Sequence, residues 1–262
     1  MELSTVGWQK EQGVATITLN RPRALNALNA QMIGELLKTL ERVAWDGEVK
    51  VLVLTGAGRA FCFGADPAGF ESQAEGAGES NLDLLSQAQR IIRLLATMPK
   101  PVIAALNGFA TGLGLDLALA CDLRIAAERA KLGEAFVTMG LVPDGGGTFF
   151  LPRLVGLGRA AEMIFTGEPL TAAEAERLGL INRVVPMEKL EEATREMADK
   201  LARGPSLAIA LAKRLLRENL WEDLDSALRN EAEQQRACLD SSDHREAVRA
   251  FREKRRPVFR GK

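Results

Sequence analysis

Val102-Ile103-Ala104-Ala105-Leu106-Asn107-Gly108-Phe109-Ala110-Thr111-Gly112-Leu113-Gly114-Leu115-Asp116-Leu117-Ala118 is the stretch whose reading decides the fold. Five apolar residues in a row predict a buried strand over Val102 to Leu106. Asn107-Gly108 then predicts a turn, and the small apolar run Gly112 to Ala120 a helix. A strand that leads through glycines into a helix leaves N–H groups unpaired at the positive end of the helix dipole, which suits a developing oxyanion. No Gly-Lys-Ser/Thr follows and the glycines do not complete a GxGxxG pattern, so the nucleotide-binding readings drop out.

The same alternation extends in both directions. Upstream, Ala15, Ile17 and Leu19 share one face of a strand over Val14 to Leu19. Met32, Ile33, Leu36, Leu37, Leu40 and Val43 recur at helical spacing, and Val51-Leu52-Val53-Leu54 reads as a second buried strand. Thr55 to Ser80 is rich in Gly, Ala and polar residues and predicts an exposed, mobile loop. Leu84 to Leu95 forms an amphipathic helix, which Pro99 and Pro101 end. Downstream, strands are expected around Leu123 to Ala127 and at Arg183 to Val185. Thr171-Ala172-Ala173-Glu174 has the form of a capping box, and helical patterns fill 188–203, 206–219, 223–239 and 243–254. The class is therefore α/β, with a core over residues 1–200 and a helical region over 201–262 that is better suited to packing on a partner than to standing alone.

Composition removes several function classes. Lys plus Arg number 34 against 35 Asp plus Glu, so no global field draws nucleic acid or anionic lipid. The single histidine, His244, lies in a polar stretch near a helix start. A Ser-His-Asp triad, a multi-histidine zinc site and an HExxH protease are all excluded as expectations. Carboxylates are then the natural proton carriers. Cys62, Cys121 and Cys238 show no CxxC spacing, no apolar run reaches the ~20 residues of a membrane span, and the first residues lack signal-peptide character; a cytoplasmic setting is the expectation.

A second glycine-rich segment, Gly56-Ala57-Gly58-Arg59-Ala60-Phe61-Cys62-Phe63-Gly64-Ala65-Asp66, also follows a buried strand. Read alone it is a turn. With Asn20-Arg21-Pro22-Arg23-Ala24-Leu25-Asn26-Ala27, Pro99 to Gly108, Ala120-Cys121-Asp122 and Gly140-Leu141-Val142-Pro143-Asp144-Gly145-Gly146, in this order and spacing, the chain resembles the enoyl-CoA hydratase/isomerase (crotonase) superfamily over nearly its whole length.

That resemblance implies a spiral core of repeated ββα turns, and C-terminal helices that build a homotrimer or a hexamer made of two trimers. The substrate would be an acyl thioester of coenzyme A, which enters as part of the substrate, with no separate cofactor and no metal. Two backbone N–H groups, by position those of Ala65 and Leu113, would form the oxyanion hole for the enolate. Coenzyme A would run along Arg23, Ala24, Leu25, Ala27, Gly64 and Asp66, and would meet Phe259 and Arg260 near the C-terminus, from the same or a neighbouring subunit. Gly112, Phe136 and Phe149, with the 66–80 loop, would shape the acyl pocket.

The resemblance also bears on the reaction. Hydratases of the superfamily use two glutamates to hold and activate water. Here Asp116 occupies the first position and Phe136 the second, and a phenyl ring can neither accept a proton nor position water. Glu134, two residues away, is expected to point elsewhere. Asp144 matches the acid/base aspartate of the isomerase branch that includes ring-1,2-epoxyphenylacetyl-CoA isomerase. The expectation is a double-bond isomerase with Asp144 as acid/base and Asp116 as a second acid/base or pocket polariser. The plain alternatives are that Asp144 caps the next helix and that Asp116 pairs with a cation. Two rival functions remain: a hydratase working with Asp116 and Asp144, and a non-catalytic acyl-CoA or RNA-binding protein on the same fold, the RNA reading being disfavoured by the neutral charge and the few aromatics.

Overall fold

The computed structural model describes residues 4–66 and 78–262. Most of the predicted 66–80 loop, and its proposed part in the acyl pocket, lies outside these residues.

Among the described residues ten strands fall into two sheets. The larger holds β1 (Val6–Glu11), β2 (Val14–Leu19), β3 (Val51–Gly56), β5 (Val102–Leu106), β7 (Leu123–Ala127) and β10 (Arg183–Val185), in that spatial order. The smaller holds β4 (Ala60–Cys62), β6 (Phe109–Thr111), β8 (Lys131–Gly133) and β9 (Leu170–Thr171). Except for β1 on β2 and β9 on β8, all pairs are parallel.

Each turn of the chain sends one long strand into the first sheet and a short strand, only a few residues later, into the second. A helix then returns. The first turn ends in α2 (Gly78–Thr97), the second in α3 (Leu113–Ala120), and the third, through a 3-10 turn at Ala135–Met139, in α4 (Gly147–Val155) and α5 (Leu157–Thr166). This is the predicted ββα spiral. The short strands β4, β6 and β8 carry no long alternating pattern, and for that reason the sequence reading saw turns where the second sheet forms.

The helices supply the core's other layer. α1 (Ala30–Trp45) starts at Asn29, whose side chain accepts from the Met32 N–H, and it buries Met32, Leu36, Leu40 and Val43 completely. It packs against α2. α6 (Ala172–Arg177) begins with the predicted capping box, in which Thr171 and Glu174 exchange hydrogen bonds. α7 (Leu190–Ala202) covers the opposite face of the large sheet with Leu190, Ala193, Ala198 and Ala202.

Three more helices follow, α8 (Ser206–Glu218), α9 (Leu224–Leu239) and α10 (Ser242–Arg252). α8 is tied to the core by Lys213, whose ammonium meets Asp122 at 2.7 Å and the carbonyls of Leu95 and Lys100. Asp122 also accepts from the Val102 N–H. Leu216, Leu220, Trp221, Leu224 and Leu228 remain exposed along α8, α9 and the turn between them. Among the described residues no helix is long and apolar enough to cross a membrane.

Candidate active site

The two glycine-rich segments lie side by side because β4 and β6 pair in parallel, Cys62 opposite Ala110. Three residues further along each chain come Ala65 and Leu113. The spacing is close: a Cβ on Gly64 would stand 2.8 Å from the Thr111 carbonyl oxygen and 3.7 Å from the Leu113 nitrogen, and one on Gly114 would run into the Cys62 carbonyl. Gly64 has φ +93° and Gly112 φ +52°, conformations that L side chains rarely adopt. Leu113 is the first residue of α3, so its N–H has no partner within the helix. Neither the Leu113 nor the Ala65 N–H donates to an acceptor among the described residues. Two free amides just beyond two paired strands can stabilise one oxyanion.

The early loop is pinned to the same place. Leu25 and Asn26 both adopt φ near +55°, at +50° and +58°, and buried Asn26 donates to the carbonyls of Ala57 and Ala60. Leu28 and Ala65 form a parallel bridge, with the Leu28 N–H on the Gly64 carbonyl and the Asp66 N–H on that of Leu28. Arg23, Ala24, Leu25 and Ala27 are thus carried by a loop that is pinned beside Gly64 and Asp66. Arg23 is exposed. The Asp66 carboxylate is engaged by Arg21 at 2.8 Å.

Behind the amides stand three carboxylates. Asp116, in the first turn of α3, and Glu134, directly after β8, are both 0% exposed, whereas Asp144 on the loop before α4 is half-buried. Strand register explains the first two. Thr111 pairs with Gly133, so Glu134 lies level with Gly112, and Asp116 sits one helical turn above Gly112, its N–H bonded to the Gly112 carbonyl. A Cβ on Gly147 would lie 2.7 Å from Oε1 of Glu134 and 2.9 Å from Oδ1 of Asp116, so both oxygens face one point. The absence of a side chain at Gly147 makes room for them.

Glu134 therefore departs from expectation. It is not on a helix face pointing away; it precedes the 3-10 turn and its carboxylate enters the site. A parallel pairing of three-residue strands put it there, and the helical periodicity used to judge its direction does not apply. The alternative readings of the two aspartates also fall. Asp144 does not cap α4, which has no side-chain cap; it is Asp116 that accepts from the Gly145 N–H, at 3.1 Å. Among the described residues no cation faces Asp116.

Electrostatics follow from this crowding. Burial, then the charge of Asp144, raises the Asp116 pKa to about 7, although the amides of Gly145 and Gly147 pull it back. Burial, then Asp116 and Asp144, raises Glu134 to about 9. Asp144 is raised as well, chiefly by burial. Among the described residues, Oδ1 of Asp116, Oδ1 of Asp144 and both oxygens of Glu134 have no hydrogen-bond partner. Strongly buried carboxylates without cations neutralise rather than remain charged. Proton transfer near neutral pH is the chemistry such a cluster can perform.

Phe136 lies against Gly112, its ring within 3.6 Å of a Cβ built there, and forms a wall beside the amides. Phe149 does not join it. On α4 it turns toward Trp221 (5.7 Å between centroids) with Arg153 stacked on both rings, lining a groove under α8 instead of an acyl pocket. Phe149 and Phe150 sit on neighbouring positions of α4, and helical geometry directs Phe149 outward.

The C-terminal residues are also distant from the amides in this chain. Arg260 and Gly261 donate to the Asp243 carboxylate at the start of α10, while Phe259 lies with Gln12, Lys50 and Arg203 at the β1–β2 turn. That turn leads into the start of β2, and Lys50 immediately precedes β3, so Phe259 is at the opposite end of the strands from the amides. A single chain does not bring Phe259 or Arg260 to its own Ala65 and Leu113 amides.

Comparisons with known proteins agree with this architecture. Residues 9–262 match the family model described as Enoyl-CoA hydratase/isomerase. The chain is 43% identical over 265 residues, covering 100% of both proteins, to a probable enoyl-CoA hydratase of Rhodobacter capsulatus. It is 41% identical to the 1,2-epoxyphenylacetyl-CoA isomerase of Escherichia coli, covering 96% of this chain and 97% of that protein. The crystal structure of an enoyl-CoA hydratase from Bacillus anthracis superposes with a TM-score of 0.94 at 38% identity, covering 99% of this chain and 100% of that one. Relatives named for hydration and for isomerisation stand at similar distances, so the match reaches the level that they share: this chain is an enzyme of the enoyl-CoA hydratase/isomerase family.

Proposed function

We propose that the protein shifts a carbon–carbon double bond within an acyl-CoA thioester, with Asp144 taking a proton from one carbon and returning it to another. The observation that carries this reading is the difference in access among the three carboxylates. Asp116 and Glu134 are sealed at 0% exposure, while Asp144 is half-buried. A single accessible carboxylate suits a 1,3 proton shift, in which abstraction forms a dienolate and the same acid reprotonates it. The amides of Ala65 and Leu113 would hold the thioester oxygen while it bears the negative charge. Burial supports the assignment by raising Asp144 toward the pH at which a carboxyl both accepts and returns a proton.

Hydration is the second reading, favoured by the presence of Asp116 and Glu134 together, since two carboxylates can hold a water. Their enclosure weighs against it. The deciding experiment supplies 2-enoyl-CoA and 3-enoyl-CoA thioesters in D2O and follows products by NMR, with Asp144→Asn and Asp116→Asn alongside. Double-bond migration with solvent deuterium at the α or γ carbon, falling roughly 10²–10⁴-fold in Asp144→Asn, is expected. Formation of 3-hydroxyacyl-CoA instead would establish hydration. CoA binding without turnover of either substrate would favour a non-catalytic binder.

The exposed Leu216, Trp221, Leu224 and Leu228 support a homo-oligomer in which residues 201–262 pack on a second copy. In such an assembly Phe259 and Arg260 would serve a neighbour's coenzyme A.

A further inference from the structure

We infer that Glu134 is a positioning residue of the acid–base site: it holds a proton behind Asp116 and Asp144 and so keeps Asp144 the anion that meets the substrate. This inference rests on the proposed isomerase reading for its kinetic consequence, but not for its structural one.

Geometry comes first. Glu134 is 0% exposed, both its oxygens lack hydrogen-bond partners among the described residues, and Oε1 shares with Oδ1 of Asp116 the space left open by Gly147. The titratable groups that face it are Asp116 from α3 and Asp144 from the loop before α4; among the described residues no cation does. Three negative charges in such a space repel one another without any compensating partner. The proton must therefore reside on one of the enclosed pair.

Hydrogen bonding decides which. Asp116 accepts the Gly145 N–H, which favours its ionised form, whereas Glu134 accepts nothing and gains nothing from ionising. Its pKa, raised to about 9 by burial first and the two aspartates second, agrees with that order. As a neutral acid Glu134 adds no charge to the cluster. As an anion it would push a proton onto Asp144 and remove the base.

The test compares the wild type with Glu134→Gln, whose amide copies a neutral acid, and with Glu134→Ala. Infrared difference spectra of wild type against Glu134→Gln at neutral pH read protonation directly, and turnover of the 3-enoyl-CoA substrate across pH reads its consequence. A protonated-carboxyl band in the wild type that disappears in Glu134→Gln is expected. Glu134→Gln should hold kcat within about tenfold, well short of the 10²–10⁴-fold loss that follows removal of an acting acid–base group. It should also remove whatever change in turnover the wild type shows as Glu134 ionises on the alkaline side, because the glutamine side chain has no such proton to lose. Glu134→Ala should fall further than Glu134→Gln, and the conservative variant's better activity separates positioning from packing. Absence of the infrared band, coincident alkaline limbs for wild type and Glu134→Gln, or loss of turnover in a folded Glu134→Gln would each overturn the inference. Should the wild type shift no double bond, the isomerase reading fails while the infrared result still decides the state of Glu134.

Discussion

Gly145 donates its N–H to Oδ2 of Asp116 at 3.1 Å, and this bond ties the loop that carries Asp144 to the glycine-rich helix. Asp116 thereby holds the neighbour of Asp144 in place as well as shaping its charge. The loop is held tightly: a Cβ on Gly145 would stand 2.5 Å from Cδ1 of Leu113 and 2.7 Å from the same Asp116 oxygen. Leu113, whose N–H is the proposed oxyanion donor, and Gly145, next to the proposed acid/base Asp144, are thus packed closely, so the two proposed groups would be positioned by one another.

Removing the Leu113 N–H while keeping the helix tests its part in catalysis. Leu113 occupies the first helical position, where proline is tolerated, so Leu113→Pro deletes the donor with limited cost to the backbone. A drop in kcat of about 10²–10³-fold is expected, against a much smaller one for Leu113→Ala, which keeps the N–H. Equal losses in the two variants, measured by steady-state kinetics on folded protein, would assign Leu113 to packing alone.

Gly147→Ala should damage the site by steric means. The added methyl would come within 3 Å of both Glu134 and Asp116, yet no positive φ is involved at this position. Destabilisation of about 1–3 kcal/mol, typical of overpacking, is expected together with loss of activity. Denaturant unfolding and turnover assays check the two effects separately.

Stability should depend on pH in the direction set by the carboxylate cluster. Asp116 and Glu134 have folded pKa values raised to about 7 and about 9, so the native state binds more protons than the unfolded one above the ordinary carboxylate range. Their favourable protonation is fully present below the unfolded pKa and is lost as pH rises through those values. Glu35 behaves oppositely: burial alone would raise it, but hydrogen bonds from Thr5, Gln31 and Ser4 outweigh this and lower it to about 2, so its contribution is complete well below neutrality. Between about pH 5 and pH 9 the melting temperature should therefore fall as pH rises, and Asp116→Asn and Glu134→Gln should each flatten that slope. Thermal melts across the range provide the measurement.

Phe149→Ala should leave turnover nearly unchanged. Its ring packs on Phe150, Trp221 and Arg153 beneath α8, so the expected loss is stability, about 0.5–1.5 kcal/mol for each aromatic pair removed. A strong effect on KM for the acyl group, with stability retained, would return Phe149 to the pocket.

Much of the architecture was legible because its carriers are local. Val51 to Leu54 and Val102 to Leu106 announce buried strands, and Thr171 with Glu174 announces a helix start, through patterns that neighbours in sequence complete on their own. The four helical patterns beyond residue 188 begin and end within two residues of the observed helices. The glycines around Leu113, and the family resemblance at Asp144, pointed to the candidate site.

Glu134 and Phe149 mark where that legibility ends. The direction of Glu134 depends on β8 pairing with β6 in one register, and a three-residue strand is too short to show a period of its own. Phe149 was drawn toward the substrate by its sequence neighbourhood and turned away by the helix that forms there, onto Trp221, a residue over seventy positions later. The sequence by itself determined the class of fold, the alternation of strand and helix, and the chemical types available for catalysis, since periodicity and composition are properties of short segments. Only the tertiary structure decided which carboxylates meet and which of them are fully enclosed, because burial and charge repulsion arise between segments that the chain brings together only when it folds.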